Sequence, residues 1–406
     1  MLVERDAECH MRDNTILRSD IYRPDEDGSY PVLLIRGPYD KRVGLSSFGN
    51  SHPAWFAEHG YIVIIQDTRG RFASEGEFYP FAYEAEDGFD SVEWAARVTG
   101  SDGQVGMFGF SYLGATQLLA ATTRPPSLKA IVPGFTASQY FDGWTYNSGA
   151  FALGFNCYWA NLLAMDTAAR NQNISDLEEL SLSLGSASNW FWSTPLKNYP
   201  PLKSKSADYF FDWLAHPTYD EYWKRWSIDE DYSRIDVPAL HIAGWYDIFL
   251  SGSVNNFCGI SRDGGSANTR NHQKLLIGPW THMPWSPVGN TGKTEPSTSE
   301  IDDWTIRWFD EILKNKNTGI LDSPITIYPV NGNLLELEKW HTGESPTETW
   351  FFHSEGRANS KFGDGKLDKY SPADEHVDLF VSDPTIPIQS NGGHSCCFDS
   401  ITPMGP

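Results

Sequence analysis

The stretch that decides the fold is GMFGFSYLG, residues 106–114, in which a strand-like run passes directly into a helix expected to begin near Leu113. A serine on a tight strand-to-helix turn is held with its hydroxyl exposed, and small residues nearby let the backbone make that turn. The spacing is G-x-S-x-x-G instead of the common G-x-S-x-G, although Ala115 is also small. An ordinary glycine-rich turn is the alternative. The context favours Ser111 as a nucleophile.

The segments around this turn alternate between strand and helix patterns. Between residue 15 and about residue 135 the strand-like runs are TILRSDIYRP, PVLLIRGPY, YIVIIQDTR, QVGMFGFS and KAIVPGF, and one helix is predicted from about Tyr83 to Val98. The alternation resumes with PALHIAGWYD and KLLIGPW. Such a pattern predicts a mostly parallel sheet covered by helices on both faces. Together with the serine turn it indicates an α/β-hydrolase core.

The composition divides the chain into four segments. We predict a core from residues 1–140 and 237–318, because the α/β pattern occupies both ranges. Residues 141–236 are rich in tryptophan and helix-like, which indicates an inserted helical cap. Residues 319–406 contain short β-like runs separated by Gly, Pro, Asn and Asp, which indicates an antiparallel β module.

Charge and cysteine content exclude several classes of function. The formal net charge of −22 makes nucleic acid and anionic membranes poor partners, because like charges repel. The five cysteines are an odd number without the spacing of a disulfide framework, so we expect reduced thiols. The Cys396-Cys397 pair has neither the spacing nor the histidine partners of a metal site, and no metal is expected. The first residues are charged and no long apolar run follows, which predicts a cytoplasmic protein.

A serine nucleophile needs a base and an orienting carboxylate, which follow it in the chain order Ser, Asp or Glu, then His in this fold. Asp247 follows the strand-like run HIAGWY, and His282 follows KLLIGPWT. Both therefore lie at the carboxyl ends of strands, where open α/β sheets build their sites. Taken singly, such an Asp is usually a turn residue and such a His a surface residue. Their matched placement favours a Ser111, Asp247, His282 triad.

Most of the other histidines are set aside by position. His241 lies inside a strand, His52 and His59 flank a helix, His272 precedes its strand, and His341, His353, His376 and His394 fall in the β module.

Six ordered segments resemble one known family. They are MRDNTILRSDIYRP, RGPYDK, IIQDTRGRFASEGEF, GMFGFSYLGATQ, AGWYD and LIGPWTH, and they resemble the cocaine-esterase and X-Pro dipeptidyl-peptidase group, the CocE/NonD hydrolases. The resemblance implies hydrolysis of esters or amides through an acyl-enzyme, without metal or cofactor. It also implies Ser111 as nucleophile, His282 as general base and Asp247 as orienting acid.

The same resemblance implies an oxyanion hole made by the Tyr112 N–H and the Tyr39 hydroxyl. A phenol stays protonated at neutral pH and can donate to an oxyanion, and Tyr39 follows a core strand, where this class places its second donor. Packing in the turn after Pro38 is the alternative role for Tyr39.

The resemblance also places Trp144, Trp159 and Phe249 in an aromatic acyl pocket, which would favour apolar or benzoyl-like acyl groups. Tryptophans of a helical cap can equally be simple core.

Family members usually continue into a complete C-terminal jelly roll, whereas this chain stops at residue 406. The β module is therefore expected to be a partial jelly roll, whose exposed edges would favour homo-oligomers.

Hydrolysis of small carboxylic esters is the first functional hypothesis. An X-Pro dipeptidyl-peptidase or an α-amino-acid ester hydrolase is the second, and it would need carboxylates for a substrate ammonium, with Asp142 and Asp166 as candidates. The third is a binding or scaffold protein that kept the fold without turnover.

Overall fold

A ten-stranded sheet forms the centre of the larger of two structural units. In this computed structural model the described residues are 1–43, 51–203, 207–283, 300–329, 333–340, 347–383 and 396–397. One unit comprises Met1–Glu338 with Gln389–Pro406, and the other comprises Lys339–Ile388. The strands, in chain order, are β1 (Leu2–His10), β2 (Ile16–Arg23), β3 (Tyr30–Gly37), β4 (Ile62–Asp67), β5 (Ser101–Phe110), β6 (Leu128–Gly134), β7 (Tyr146–Asn147), β8 (Ala150–Phe151), β9 (Ala239–Tyr246), β10 (Gln273–Thr281), β11 (Ile325–Ile327), β12 (Leu335–Leu337), β13 (Phe351–His353) and β14 (Lys366–Asp368).

The strand order in this sheet is β1-β2-β4-β3-β5-β6-β9-β10-β11-β12. Strands β4, β3, β5, β6, β9, β10 and β11 are parallel neighbours, whereas β1, β2 and β12 pair antiparallel at the two ends. The mostly parallel sheet agrees with the alternating sequence pattern. The carboxyl ends of β5, β9 and β10 consequently meet at one edge of the sheet.

Ten α-helices are present in the described residues. They are α1 (Pro53–Glu58), α2 (Glu84–Ala95), α3 (Tyr112–Ala121), α4 (Leu153–Arg170), α5 (Ile174–Gly185), α6 (Asp208–Ala215), α7 (Glu221–Lys224), α8 (Leu250–Asp263), α9 (Ala267–Asn271) and α10 (Glu300–Lys314). Among these helices, none combines the length and the apolar character that crossing a bilayer requires. The helix expected from about Tyr83 to Val98 is α2.

The two faces of the sheet bury separate cores because side chains alternate along each strand. On β3, Val32 and Leu34 face a core that includes residues of α2, α3 and the cap. Leu33 and Ile35 face the opposite core, to which α1 and α10 contribute Phe56, Trp308 and Phe309. The parallel strands are therefore apolar on both faces, as a sheet covered on both sides requires.

Helices α4 to α7 and the short hairpin β7–β8 lie between β6 and β9, in the range expected for the cap. Aromatic side chains supply much of its interior: Trp159 and Trp213 stack with ring centroids 5.7 Å apart and planes 5° from parallel. Stacking of this kind adds to the free energy gained by burying the rings.

The sheet continues past the expected end of the core at residue 318. Strand β11 pairs parallel with β10, and β12 pairs antiparallel with β11. All three residues of β11 are buried, as expected for a strand that has a neighbour on each side in this sheet. The last two strands of this sheet therefore lie beyond residue 318, where we predicted the core to end.

The described part of the second unit contains one antiparallel ribbon, β13–β14. Several of its apolar side chains are strongly exposed, among them Phe352, Phe380 and Val381, each more than four-fifths exposed. The jelly roll and the association through its edges stay predictions.

Candidate active site

Ser111 occupies the turn between β5 and α3. Its backbone adopts φ 60° and ψ −126°, and its N–H donates to the Gly134 carbonyl at 3.0 Å. A non-glycine residue in this region of backbone space is strained, and such strain is typical of a nucleophile elbow. The turn holds the serine hydroxyl at the carboxyl edge of the sheet.

The glycines on either side of Ser111 explain the unusual spacing of the motif. Gly109 has φ +135°, and a Cβ there would lie 2.6 Å from the Leu113 Cβ. A Cβ on Gly114 would lie 2.8 Å from the Thr136 Cβ. The first glycine therefore lets the chain turn against α3, and the second lets α3 pack closely on the loop after β6.

Three buried side chains form a continuous hydrogen-bonded chain at this edge. The His282 Nε2 lies 2.9 Å from the Ser111 Oγ, and the His282 Nδ1 lies 2.7 Å from an Asp247 carboxylate oxygen. Ser111, His282 and Asp247 are 8%, 2% and 3% exposed. Since an ionised carboxylate only accepts hydrogen bonds, Nδ1 carries the proton and Nε2 accepts from the serine hydroxyl. The structure thus brings the three predicted residues together.

Tyr39 lies in the loop after β3, beside the serine. The Trp159 Nε1 donates to its hydroxyl oxygen at 3.0 Å. Burial raises the pKa of the Tyr39 phenol well above its usual value, although hydrogen bonds with Trp159 and Ser111 oppose that shift. The phenol is therefore protonated at neutral pH and has a proton to donate.

The side chain of Tyr112 is held in the core, away from the reacting atoms. Its hydroxyl donates to a Glu84 carboxylate oxygen at 2.8 Å and accepts from the Phe81 N–H at 2.9 Å. Its backbone N–H stands at the first position of α3, where no intrahelical acceptor exists. Of the two polar groups of Tyr112, the backbone N–H is therefore the one suited to stabilising an oxyanion.

The three predicted pocket residues form one aromatic cluster, and Phe249 is the member that contacts His282. The rings of Trp144 and Phe249 stack at 4.4 Å, and the Phe249 ring lies 5.0 Å from the His282 ring. Trp159 joins them, 5.4 Å from Trp144. Sequence reasoning missed Phe155, whose ring lies 6.0 Å from Trp159 and 5.9 Å from Phe249. Its position four residues before Trp159 on α4 could have revealed it, since such residues share a helix face.

A second feature missed from the sequence is the position of the vicinal cysteines. Cys396 and Cys397 form a disulfide, and ligand atoms of both cysteines and of His282 all lie within 4.8 Å of one another. The expectations that all cysteines are reduced and that this pair lacks a histidine partner are therefore corrected. Adjacency in the chain brings the sulfurs together, and folding brings them to His282. Cys9, Cys157 and Cys258 are free thiols.

The two acids considered for a substrate ammonium already have partners within the protein. Asp166 forms an ion pair with the buried Arg71 at 3.4 Å and accepts from the Phe72 N–H at 3.1 Å. Asp142 accepts from the Ser148 N–H at 2.8 Å. The Arg71 charge offsets that of Asp166, which weakens its attraction for a second cation.

Of the other histidines, His241 is buried inside β9, as expected, and burial lowers its pKa to about 4. His341 and His394 lie outside the described residues.

Comparison with known proteins assigns this chain to a family. The family model described as X-Pro dipeptidyl-peptidase (S15 family) matches residues 13–284. The cocaine esterase of Rhodococcus sp. (strain MB1 Bresler) is 33% identical over 398 residues, which cover 94% of this chain and 68% of that protein.

Two solved structures share the fold at lower identity. A CocE/NonD family hydrolase from Staphylococcus aureus superposes with a TM-score of 0.62 at 22% identity, covering 86% of this chain and 57% of that one. An α-amino acid ester hydrolase gives a TM-score of 0.67 at 22% identity, covering 96% of this chain and 66% of that one. The chain thus spans about two thirds or less of the length of these relatives. The resemblance to CocE/NonD hydrolases is confirmed: the chain belongs to the X-Pro dipeptidyl-peptidase (S15) family and is an enzyme of the serine hydrolase type.

Proposed function

We propose that this enzyme hydrolyses carboxylic esters through an acyl-enzyme on Ser111, with His282 as general base and Asp247 as the carboxylate that orients it. The observation that carries the proposal is the buried hydrogen-bond chain of 2.7 and 2.9 Å through the three side chains. Its members follow one another in the order that α/β-hydrolases use, each at the carboxyl end of a parallel strand.

The reaction follows from these positions. The Ser111 Oγ attacks the ester carbonyl carbon while its proton passes to the His282 Nε2. The tetrahedral intermediate collapses, the alcohol leaves with the proton from Nε2, and the acyl group stays on Ser111. Water then gives a proton to Nε2 and attacks the acyl carbon, and Ser111 leaves with that proton. Asp247 stabilises the imidazolium that forms in each half-reaction.

Two donors would stabilise the oxyanion. The Tyr112 N–H stands at the start of α3, where the helix dipole also favours negative charge. The Tyr39 hydroxyl is the second donor. The Trp159 indole donates to its oxygen at 3.0 Å, and the phenolic proton would be donated to the substrate oxygen during the reaction.

The acyl group would bind against the rings of Trp144, Trp159 and Phe249. Phe249 also contacts the His282 ring, so an acyl group seated on these rings would lie beside the reacting atoms. Aromatic surfaces favour flat, apolar acyl groups such as benzoyl. A relative named cocaine esterase, at 33% identity, supports an ester as the substrate.

Cleavage of X-Pro peptides or of α-amino-acid esters is the second candidate. The matching family model is named for X-Pro dipeptidyl-peptidases, and one of the similar structures is an α-amino acid ester hydrolase. Both substrates carry an ammonium group. The pairing of Asp166 with Arg71 and the hydrogen bond from Ser148 to Asp142 argue against these two acids as its binding site.

Turnover of p-nitrophenyl acetate, p-nitrophenyl benzoate and Gly-Pro-p-nitroanilide by the wild type and Ser111→Ala tests the proposal. We expect ester turnover that is lost in the variant, with benzoate preferred over acetate, and with that preference reduced in Phe249→Ala. Turnover of the anilide above that of the esters would favour the peptidase. Absence of Ser111-dependent turnover in folded protein would contradict the proposed esterase activity.

A further inference from the structure

The general base proposed above lies beside two adjacent sulfur atoms. Cys396 is 6% exposed and Cys397 is half-buried. Ligand atoms of Cys396, Cys397 and His282 all lie within 4.8 Å of one another, and no other set of three or more potential ligands was found among the described residues. When the disulfide is reduced, the two thiols and the imidazole form a soft donor set, which thiophilic divalent cations prefer.

A single cation sets the distances between its ligand atoms. Zinc binds thiolate sulfur at about 2.3 Å and imidazole nitrogen at about 2.0–2.1 Å, so neighbouring ligand atoms of a tetrahedral site are about 3.5–3.8 Å apart. Reduction of the disulfide releases the two sulfurs, and rotation about the side-chain bonds then moves the three ligand atoms, which lie within 4.8 Å of one another, toward such positions.

The surroundings of His282 favour a metal on Nε2. Its Nδ1 donates to Asp247 at 2.7 Å, and a carboxylate on the far nitrogen is the usual partner of a zinc-bound histidine. That contact fixes the ring and raises the basicity of Nε2. The same Nε2 otherwise accepts from the Ser111 hydroxyl at 2.9 Å.

We propose that, in the reduced enzyme, Cys396, Cys397 and His282 form an inhibitory binding site for a thiophilic divalent cation such as Zn²⁺. The proposal rests on the proposed function, because inhibition follows from the loss of His282 as general base. A cation on Nε2 occupies the lone pair that would accept the serine proton, so acylation stops.

The oxidation state of the cysteines controls this site. The disulfide supplies no thiolate and must first accept two electrons from a dithiol reductant, which becomes a disulfide itself. The two thiols then lose their protons to water as the two metal–sulfur bonds form. The oxidised enzyme therefore resists the metal, and the reduced enzyme is sensitive to it.

The test uses the full chain, reduced with an excess of dithiol that is then removed without air. Zn²⁺ binding is measured by competition with a chromophoric chelator, and the rate of p-nitrophenyl acetate hydrolysis is measured in the same titration. We expect one equivalent of Zn²⁺ to bind, the rate to fall with occupancy, and EDTA to restore it. The disulfide form is expected to keep its rate.

Variants locate the site. The double variant Cys396→Ser, Cys397→Ser should weaken Zn²⁺ binding about 100-fold or more. Its inhibition is expressed as the rate with Zn²⁺ divided by the rate of the same variant without metal. Cys258→Ser removes a half-buried thiol on α8 and should bind and respond like the wild type. His282→Ala should weaken binding in the chelator assay, which needs no turnover.

Equal Zn²⁺ affinity of the wild type and the double variant would overturn the proposal, as would inhibition that is unaffected by oxidation. Retention of turnover by Ser111→Ala would instead overturn the proposed function, while the chelator titration would still decide the metal site.

Discussion

Replacing Tyr39 by phenylalanine removes one hydroxyl and keeps the ring that packs in the loop after β3. The hydroxyl oxygen accepts a hydrogen bond from the Trp159 N–H at 3.0 Å, and the phenol stays protonated because its pKa is raised. Loss of one oxyanion donor lowers kcat by about 10²- to 10³-fold, which corresponds to about 2.7–4 kcal/mol of transition-state stabilisation. We expect Tyr39→Phe to lose activity within that range with little change in KM.

Trp159→Phe tests whether the indole positions that hydroxyl. The variant keeps an aromatic ring and removes only the donor, so the expected loss of kcat is that of one hydrogen bond, about 2- to 12-fold. In a double-mutant cycle this loss should vanish when Tyr39 is already phenylalanine. Benzoate and acetate esters are both measured, because Trp159 also lies in the proposed acyl pocket.

Tyr146→Phe is the matched control. It removes a buried phenol whose hydroxyl donates to the Trp213 carbonyl at 3.0 Å within the cap. It should lower the free energy of unfolding by about 1 kcal/mol and leave kcat unchanged. A Tyr39→Phe enzyme that keeps kcat within about threefold of the wild type would refute the role of Tyr39 in an oxyanion hole.

Three further changes test other parts of the account. Asp247→Asn should lower kcat about 10⁴-fold while circular dichroism stays native, because the amide stabilises the wrong tautomer of the base; a loss below tenfold would contradict an orienting role. Gly114→Ala should lower the free energy of unfolding in urea by about 1–3 kcal/mol, because the new Cβ meets Thr136, whereas Gly185→Ala, where nothing lies within 4 Å, should not. The buried His241 has a folded pKa of about 4, below its unfolded value of about 6.5. As the pH falls from the higher to the lower of these pKa values, only the unfolded chain takes up this proton, so the free energy of unfolding should fall by about 3 kcal/mol. His241→Asn should remove this part of the pH dependence. An identical pH dependence of unfolding in that variant would show that His241 does not bind protons as described.

The elements that the sequence predicted best are those with strong local signals. The alternation of strand and helix patterns identified the parallel sheet, because parallel strands covered on both faces must be apolar throughout. The chain order of Ser111, Asp247 and His282 predicted their convergence, because the carboxyl ends of parallel strands meet at one edge. The structure places all three within hydrogen-bonding distance of a neighbour.

The features that escaped prediction depend on contacts between distant segments. Strand β11 reads like the short strands that follow it, and only its pairing with β10 assigns it to the main sheet. The Cys396-Cys397 pair lies more than 100 residues after His282 in the chain, and nothing in its local sequence indicates their approach. The partnership of Arg71 and Asp166 likewise joins a core loop to a cap helix.

The most direct test of the central claim is labelling with a fluorophosphonate, followed by peptide mass spectrometry. Only an activated serine reacts rapidly with this reagent. The account predicts one label per chain, on Ser111, no label in Ser111→Ala, and slow labelling in Asp247→Asn. Rapid labelling of Ser111→Ala, or a wild-type label on another serine, would contradict Ser111 as the nucleophile.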